Sequence, residues 1–364
     1  MRGIPYLSIA VILILSVGSC KKPQKNLFYS YNQQAMLTNI GNNILVPAIT
    51  GFSTKAAATQ IAIDSFIANP DTATLSAAQN AFSQLAISWA AVEPFNFGPM
   101  LDNQSAANIN TWPIDTSKVQ TAINAQASAS TQGADAKGLK ALEYLLFDRN
   151  GNQAVLAKYT SATDATNRKN YLLSVAETIS GVATNLQTAW TGTYLNTFIT
   201  AQGNNVGSSV SLMVNSMAFF MDQVKNMKVG SPIGMGAKVN DNLPHPDLIE
   251  YPIAELSIPA MNANLQSMQT VLDGGTNGPG LKDLLNNINA QQNGQSLATV
   301  GDNEFTDAIT KVNAITPPFA AATSNQTQKL KDAYTSLKQL IVFYEVDVAS
   351  DCGISITFND TDGD

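Results

Sequence analysis

An all-α fold of two helical-bundle domains is what this sequence predicts, on three observations. Apolar residues recur at three- and four-residue spacing over long stretches, the signature of helices with one buried face. Strand-like alternation is confined to Ile354–Phe358, too isolated to build a sheet. Clusters of Gly, Pro and Asn divide the helical stretches from one another. The hydrophobic fraction of 45% can fill the cores of such bundles. Only 13% of residues are charged, so the surface leans on Asn, Gln, Ser and Thr.

The first segment reads as an export signal. Met1-Arg2 is followed by the apolar run Ile4–Val17, then by Gly18-Ser19-Cys20 and Lys21-Lys22. A positive start, a hydrophobic centre and small residues before a cysteine predict a bacterial lipoprotein signal peptide over residues 1–19, with Cys20 lipidated. The run is shorter than the roughly 20 residues a spanning helix needs. The expected partner is therefore a membrane, held through the lipid on Cys20, and the expected location is the cell envelope. Lys21-Lys22, with no acidic residue next to the cysteine, points to the outer membrane, at its periplasmic or its surface face. Residues 20–30 read as a tether.

An N-terminal helical domain is expected over 31–195. Leu37, Ile40, Ile44 and Leu45 keep helical spacing, with Pro47 as a kink. In the Ala-rich stretch from Ser76 to Val92, Phe82, Leu85, Trp89 and Val92 form one stripe. Residues 93–115 then read as a long Pro/Gly/Trp loop, a length usual in functional loops or linkers. Asp115 can cap a helix starting at Ser117, and Asp164 a long helix burying Leu172, Val175, Ile179, Val182, Leu186 and Trp190. The Gly/Asn-rich residues 191–206 hold the expected junction. A C-terminal helical domain over 196–364 follows. It carries the stripe Val210, Val214, Met217, Met221 and Val224, a Pro/Gly-rich loop at 229–252, and a last helix through Leu330, Tyr334, Leu337, Leu340 and Tyr344.

Composition excludes several function classes. The net charge is −7 and no Lys/Arg cluster exists beyond Lys21, Lys22 and Lys25, so nucleic acid is not an expected partner. With one histidine, His245, neither a two-histidine zinc helix nor a three-histidine metal site can form. No nucleophile elbow and no phosphate-binding Gly-rich loop ending in Lys-Ser/Thr occurs. With Cys20 lipidated, Cys352 lacks an intramolecular partner and reads as a buried small apolar residue. Acidic and amide side chains remain, a set suited to hard cations.

The most distinctive local pattern is Gly138-Leu139-Lys140-Ala141-Leu142-Glu143-Tyr144-Leu145-Leu146-Phe147. On a helix, Lys140 and Glu143 share a face while Leu139, Leu142 and Leu146 cover the core. Five further stretches keep it company in order. They are Trp89 with Glu93-Pro94-Phe95-Asn96-Phe97-Gly98-Pro99; Trp112-Pro113-Ile114-Asp115; Lys228–Gly234; Leu243-Pro244 to Glu250; and Ile354 into Asn359–Asp364.

Together these resemble the imelysin-like lipoproteins, whose signature is Gly-x-His-x-x-Glu, over nearly the whole mature chain. The resemblance implies an exported helical protein of two bundles with a site between them, linked to uptake of iron or another divalent metal or nutrient, with uptake-system proteins as partners. Some relatives have been classed as metallopeptidases. One departure matters: Lys140 stands where the family carries histidine, and an ammonium is a donor, not a metal ligand. Glu143 keeps the glutamate role and is the best metal-ligand candidate. Lys140 either replaces the charge of a cation by pairing with Glu143 and nearby acids, or binds an anion. The first is preferred.

The expected site thus comprises Gly138, Lys140 and Glu143, joined by Glu93, Trp112, Asp115, His245 and Glu250, with no catalytic residue assigned. Ser257, in the same motif as Glu250, caps or bridges. Asp360-x-Asp362-Gly363-Asp364 is similar to the opening of a calcium loop but lacks its closing glutamate. A non-enzymatic envelope binding protein with a degenerate Gly-x-Lys-x-x-Glu site is the leading reading. A metal-dependent peptidase is the runner-up, followed by a glycan-binding or scaffold lipoprotein.

Overall fold

A computed structural model describes residues 25–276 and 278–358. The signal peptide, Cys20 and the acidic tail from Asn359 lie outside the described residues. Within them the chain is helical nearly throughout. The one sheet among the described residues is a hairpin of two-residue strands pairing Gln291–Gln292 with Gln295–Ser296.

Eight helices frame the molecule: α1 (Val46–Ala68), α2 (Thr72–Ala90), α3 (Gly138–Leu146), α4 (Ala165–Ala189), α5 (Ser209–Gln223), α6 (Ser257–Asp273), α7 (Leu297–Asn313) and α8 (Thr327–Val342). The first four pack together, with α1 against α2 and α4, and α3 against α2 and α4. In the second group α7 lies between α6 and α8, and α5 packs on α8. The groups meet where α2 crosses α6 and where α5 packs on a short turn after α2.

The apolar stripes become the core. Phe82, Leu85, Trp89 and Val92 are buried, as are Val210, Val214, Met217, Met221 and Val224. Along α4 and the turn after it, Leu172, Val175, Ile179, Leu186 and Trp190 are buried, with Val182 packed at the edge. The α1–α2 connection is short because Asp71 starts α2 at once. Its carboxylate accepts from Thr74 N at 2.9 Å, and Thr74 Oγ1 accepts from Asp71 N at 3.2 Å, a reciprocal capping box.

Several sequence expectations give way. Pro47 does not break the helix. The π-helical turn Ile40–Leu45 runs directly into α1, and proline sits in the first turn of α1, where it is tolerated. Residues 191–206 are mostly helical: α4 continues through a π turn at Trp190–Tyr194, kinked at Gly192, into Leu195–Thr200. Residues 93–115 hold short turns at Glu93–Phe95, Pro99–Asp102 and Ser105–Ile109. Asp164 stands at the start of α4 without capping it, because its carboxylate pairs with Arg168 at 2.8 Å. Ile354–Phe358 forms no strand. Its backbone bonds to a side chain instead: Asn215 donates to Ser355 O at 3.1 Å and accepts from Thr357 N at 2.7 Å.

Candidate functional site

Residues from six separate segments converge on one buried cluster of charge. Glu93 sits in the turn that ends α2, and Asn110 follows the helical turn Ser105–Ile109. Lys140 and Glu143 lie on α3, and Lys228 lies on the π turn Val224–Gly230 that continues α5. Glu250 belongs to the irregular loop before α6, and Asn264 to α6 itself. All seven are buried. An ordinary amphipathic helix would turn Lys140 and Glu143 to water; here they are 3% and 4% exposed.

Gly138 lets α3 come this close. It has φ +74°, and a Cβ there would run into the carbonyl oxygen of Ile109, the residue before Asn110. Only glycine meets both conditions without strain.

Lys228 is the hub. Its Nζ lies 2.8 Å from Glu93 Oε2, 3.1 Å from Glu250 Oε2 and 3.0 Å from Asn264 Oδ1. Asn110 Nδ2 donates to Glu93 Oε1 and Glu250 Oε1, both at 2.8 Å, so the two carboxylates are held from two sides. Asn264 Nδ2 donates to Ala90 O at 2.6 Å, tying the cluster to the end of α2. Burial pushes the Lys228 ammonium down, but Glu250 and Glu93 outweigh it and hold the group above its ordinary value. Burial likewise pushes Glu250 up, and Lys228, Lys140 and the Asn110 bond together bring it below the usual carboxylate range.

Lys140 is placed differently. Its nearest carboxylate is Glu250 Oε1 at 3.8 Å, not Glu143, and its Nζ has no hydrogen-bond partner. It lies 2.8 Å from the centre of the Tyr251 ring and 5.8 Å from that of Trp112. Burial is the main influence and is only partly offset by Glu250, Glu143 and Glu93, so the amine falls to about 8. Glu143 is turned elsewhere: its Oε1 accepts from Ile253 N and Ala254 N, both at 2.9 Å, pinning the loop that carries Glu250. Tyr251, between them, is buried at φ +56°, a strained conformation for an aromatic residue. The expected Lys140–Glu143 pairing is thus corrected, because Glu143 is committed to backbone and Glu250 faces the ammonium.

Lys228 fills the space between Glu93 and Glu250. No group of three or more His, Cys, Asp or Glu is placed to hold a metal among the described residues.

Other expected residues fall into two sets. Trp112 borders the cluster and two cavities, one of about 170 Å3 with Lys140 and Glu143, the other of about 340 Å3 with Glu93 and Asn110. Asp115 and His245 are not brought in. Asp115 caps a helix, accepting from Ser117 N and Lys118 N at 3.0 and 3.1 Å. His245 pairs with Asp241 at 3.0 Å on the surface. Ser257 bonds to the carbonyl of Glu250 and so braces that loop. Sequence reasoning missed Asn110, Tyr251 and Asn264, and did not single out Lys228 although it opens one of the quoted stretches. Nothing in sequence separates a buried lysine or asparagine from a solvated one.

The imelysin family model matches residues 45–342, spanning every residue of the cluster. The chain belongs to the imelysin family. Iron-regulated protein A of Synechococcus elongatus is 24% identical over 217 residues, 55% of this chain and 56% of that protein, so the chain spans about half the length of this curated relative. Two solved structures share the imelysin-type fold. A protein of Parabacteroides distasonis assigned as an iron-regulated protein A precursor has a TM-score of 0.73 at 20% identity, covering 91% of this chain and 97% of that one. An imelysin-like protein of Psychrobacter arcticum has a TM-score of 0.70 at 16% identity, covering 90% and 97%.

Proposed function

We propose that this imelysin-family chain is a non-enzymatic binding protein of the cell envelope, tethered to the outer membrane by lipid on Cys20 and serving acquisition of iron or a related nutrient. In this reading its two helix groups are separate domains, and its Gly138-x-Lys140-x-x-Glu143 site is degenerate, an ammonium standing in for a bound cation. The observation that carries it is Lys228 Nζ seated between Glu93 Oε2 and Glu250 Oε2 at 2.8 and 3.1 Å. A metal would have to displace an ammonium paired with two carboxylates and meet a second one at Lys140. A peptidase would need a general base beside an activated water. Glu143, the one base the motif supplies, has Oε1 committed to two backbone N–H groups.

Elemental analysis of the purified chain, after incubation with Fe, Zn and Mn salts and desalting, tests this reading. It expects less than one-tenth equivalent of any transition metal. Stoichiometric, chelator-removable metal, or chelator-sensitive cleavage of casein, overturns it.

A further inference from the structure

A groove of about 760 Å3 runs beside the crossing of α2 and α6, with α1 as its third wall. None of the seven clustered residues lines it. Its apolar surface comes from Ile44, Ala48, Ile87, Ala91, Phe95 and Ala263, and Ala48, Ile87, Ala91 and Ala263 are only partly buried. Four hydroxyls also line it, but each is spent on its own helix. Ser83 donates to Gln79 O, Ser88 to Leu85 O, Ser267 to Asn264 O and Thr270 to Gln266 O, at 2.7–2.9 Å. Lys55 is the one charged residue of the lining. Its Nζ donates to Gln84 Oε1 at 2.6 Å, a neutral acceptor that leaves the charge unbalanced, and no acidic side chain lines the groove. Because Gln84 turns its oxygen to Lys55, its Nε2 remains as a second donor. Lys55 is half-buried and Gln84 exposed, so both donors are open to a ligand.

The layout selects the occupant. α1 and α2 run antiparallel, so Lys55 and Gln84 stand at one end of the groove and Ile44 and Phe95 at the other. The helical rise from Ile44 to Lys55 is about 16 Å. A sugar or other polar molecule would lose its water and find the hydroxyls already bonded. An extended peptide would leave its backbone groups without partners along the same stretch. A cation would meet Lys55. What remains is a long apolar body with an anionic head at one end. We propose that this groove binds a single-chain fatty acid of about dodecanoate size, its carboxylate on Lys55 Nζ and Gln84 Nε2 and its chain running towards Ile44 and Phe95. This goes beyond the reading of the charge cluster and does not depend on it.

Calorimetric titration of the mature chain from Cys20 onward, produced without lipid, tests it. The probes are octanoate, decanoate, dodecanoate, dodecanol and dodecyltrimethylammonium, each below its micelle threshold. Two variants accompany the wild type: Lys55→Met, which removes the charge, and Ala263→Trp, which fills the groove from a partly buried position on α6. Circular dichroism confirms that each is folded. Dodecanoate is expected to bind one to one, with affinity rising about tenfold for each two carbons added from octanoate. Lys55→Met should weaken dodecanoate about tenfold and leave dodecanol unchanged, and a folded Ala263→Trp should weaken both. No binding of dodecanoate overturns the proposal, as does equal or tighter binding of dodecyltrimethylammonium. Unchanged dodecanoate affinity in Lys55→Met overturns it too. So does a concentration-dependent dimer of the wild type that Ala263→Trp abolishes, since a second copy would then fill the groove.

Discussion

Lys228 Nζ stands 2.8 Å from Glu93 Oε2, and this bond joins the end of α2 to the turn that continues α5. The same ammonium reaches Glu250 at 3.1 Å, so one charge balances carboxylates from two distant segments. Removing one partner of a buried ion pair leaves the other charge uncompensated, at a cost of about 3–5 kcal/mol. Lys228→Met is expected to destabilise the fold by about that much. Urea unfolding would measure it. In the double variant with Glu93→Gln, where Glu250 still faces Lys140, part of the loss should return. A loss below about 1 kcal/mol in the single variant would show that the cluster is solvated.

The pH dependence of stability should carry the mark of Lys140. Its folded-state value is lowered from 10.5 to about 8, mainly by burial. Above about pH 8 the unfolded chain therefore binds more protons at this group than the folded one, and stability rises with pH. Between about pH 7 and pH 9 the gain is about 1 kcal/mol. Lys140→Met should lose it, so wild type minus variant must slope upward across that window. Burial pushes the Cys352 thiol up and removes stability at higher pH, but it does so in both proteins and cancels. A flat difference would mean that the Lys140 amine is not held neutral at high pH.

The helices were legible in the sequence because burial stripes obey the 3.6-residue period, and Leu172 to Leu186 or Val210 to Val224 need nothing else. The continuation past the end of α4 was not. Trp190–Tyr194 stays helical as a π turn, which leaves no mark in hydropathy. Of the site, Gly138, Lys140 and Glu143 were found by their motif, and Glu93, Trp112 and Glu250 by neighbouring stretches. His245 and Asp115 were misleading for opposite reasons. A lone histidine between prolines is chemically conspicuous but only pairs with Asp241. Asp115 meets the local demand of a helix N-terminus, and that demand consumes its carboxylate. Asn110 and Asn264 are set by long-range packing, which no local pattern records.

Gly138 carries two separate constraints, and a single methyl group should violate both. At φ +74° an alanine is strained, and its Cβ would meet the Ile109 carbonyl, which is backbone and cannot swing aside. Gly138→Ala is expected to cost more than about 2 kcal/mol in denaturant unfolding. Because Ile109 precedes Asn110, the shift would also disturb the bonds to Glu93 and Glu250. A cost under about 1 kcal/mol would mean that α3 and the Ser105–Ile109 turn can part freely.

Glu143 offers the sharpest separation of a structural role from a catalytic one. Its Oε1 accepts from two consecutive backbone N–H groups, Ile253 and Ala254, and so closes the loop carrying Glu250 and Tyr251. A glutamine can present a carbonyl oxygen to the same two donors, losing only the charge-assisted part of the bonds. An alanine leaves both donors without their acceptor. Glu143→Gln should therefore cost about 1 kcal/mol, and Glu143→Ala about 2–4 kcal/mol. Amide exchange at Ile253 and Ala254 should quicken strongly only in the alanine variant. Were Glu143 a metal ligand or general base instead, glutamine would be as damaging as alanine to metal binding or turnover while leaving those two amides protected.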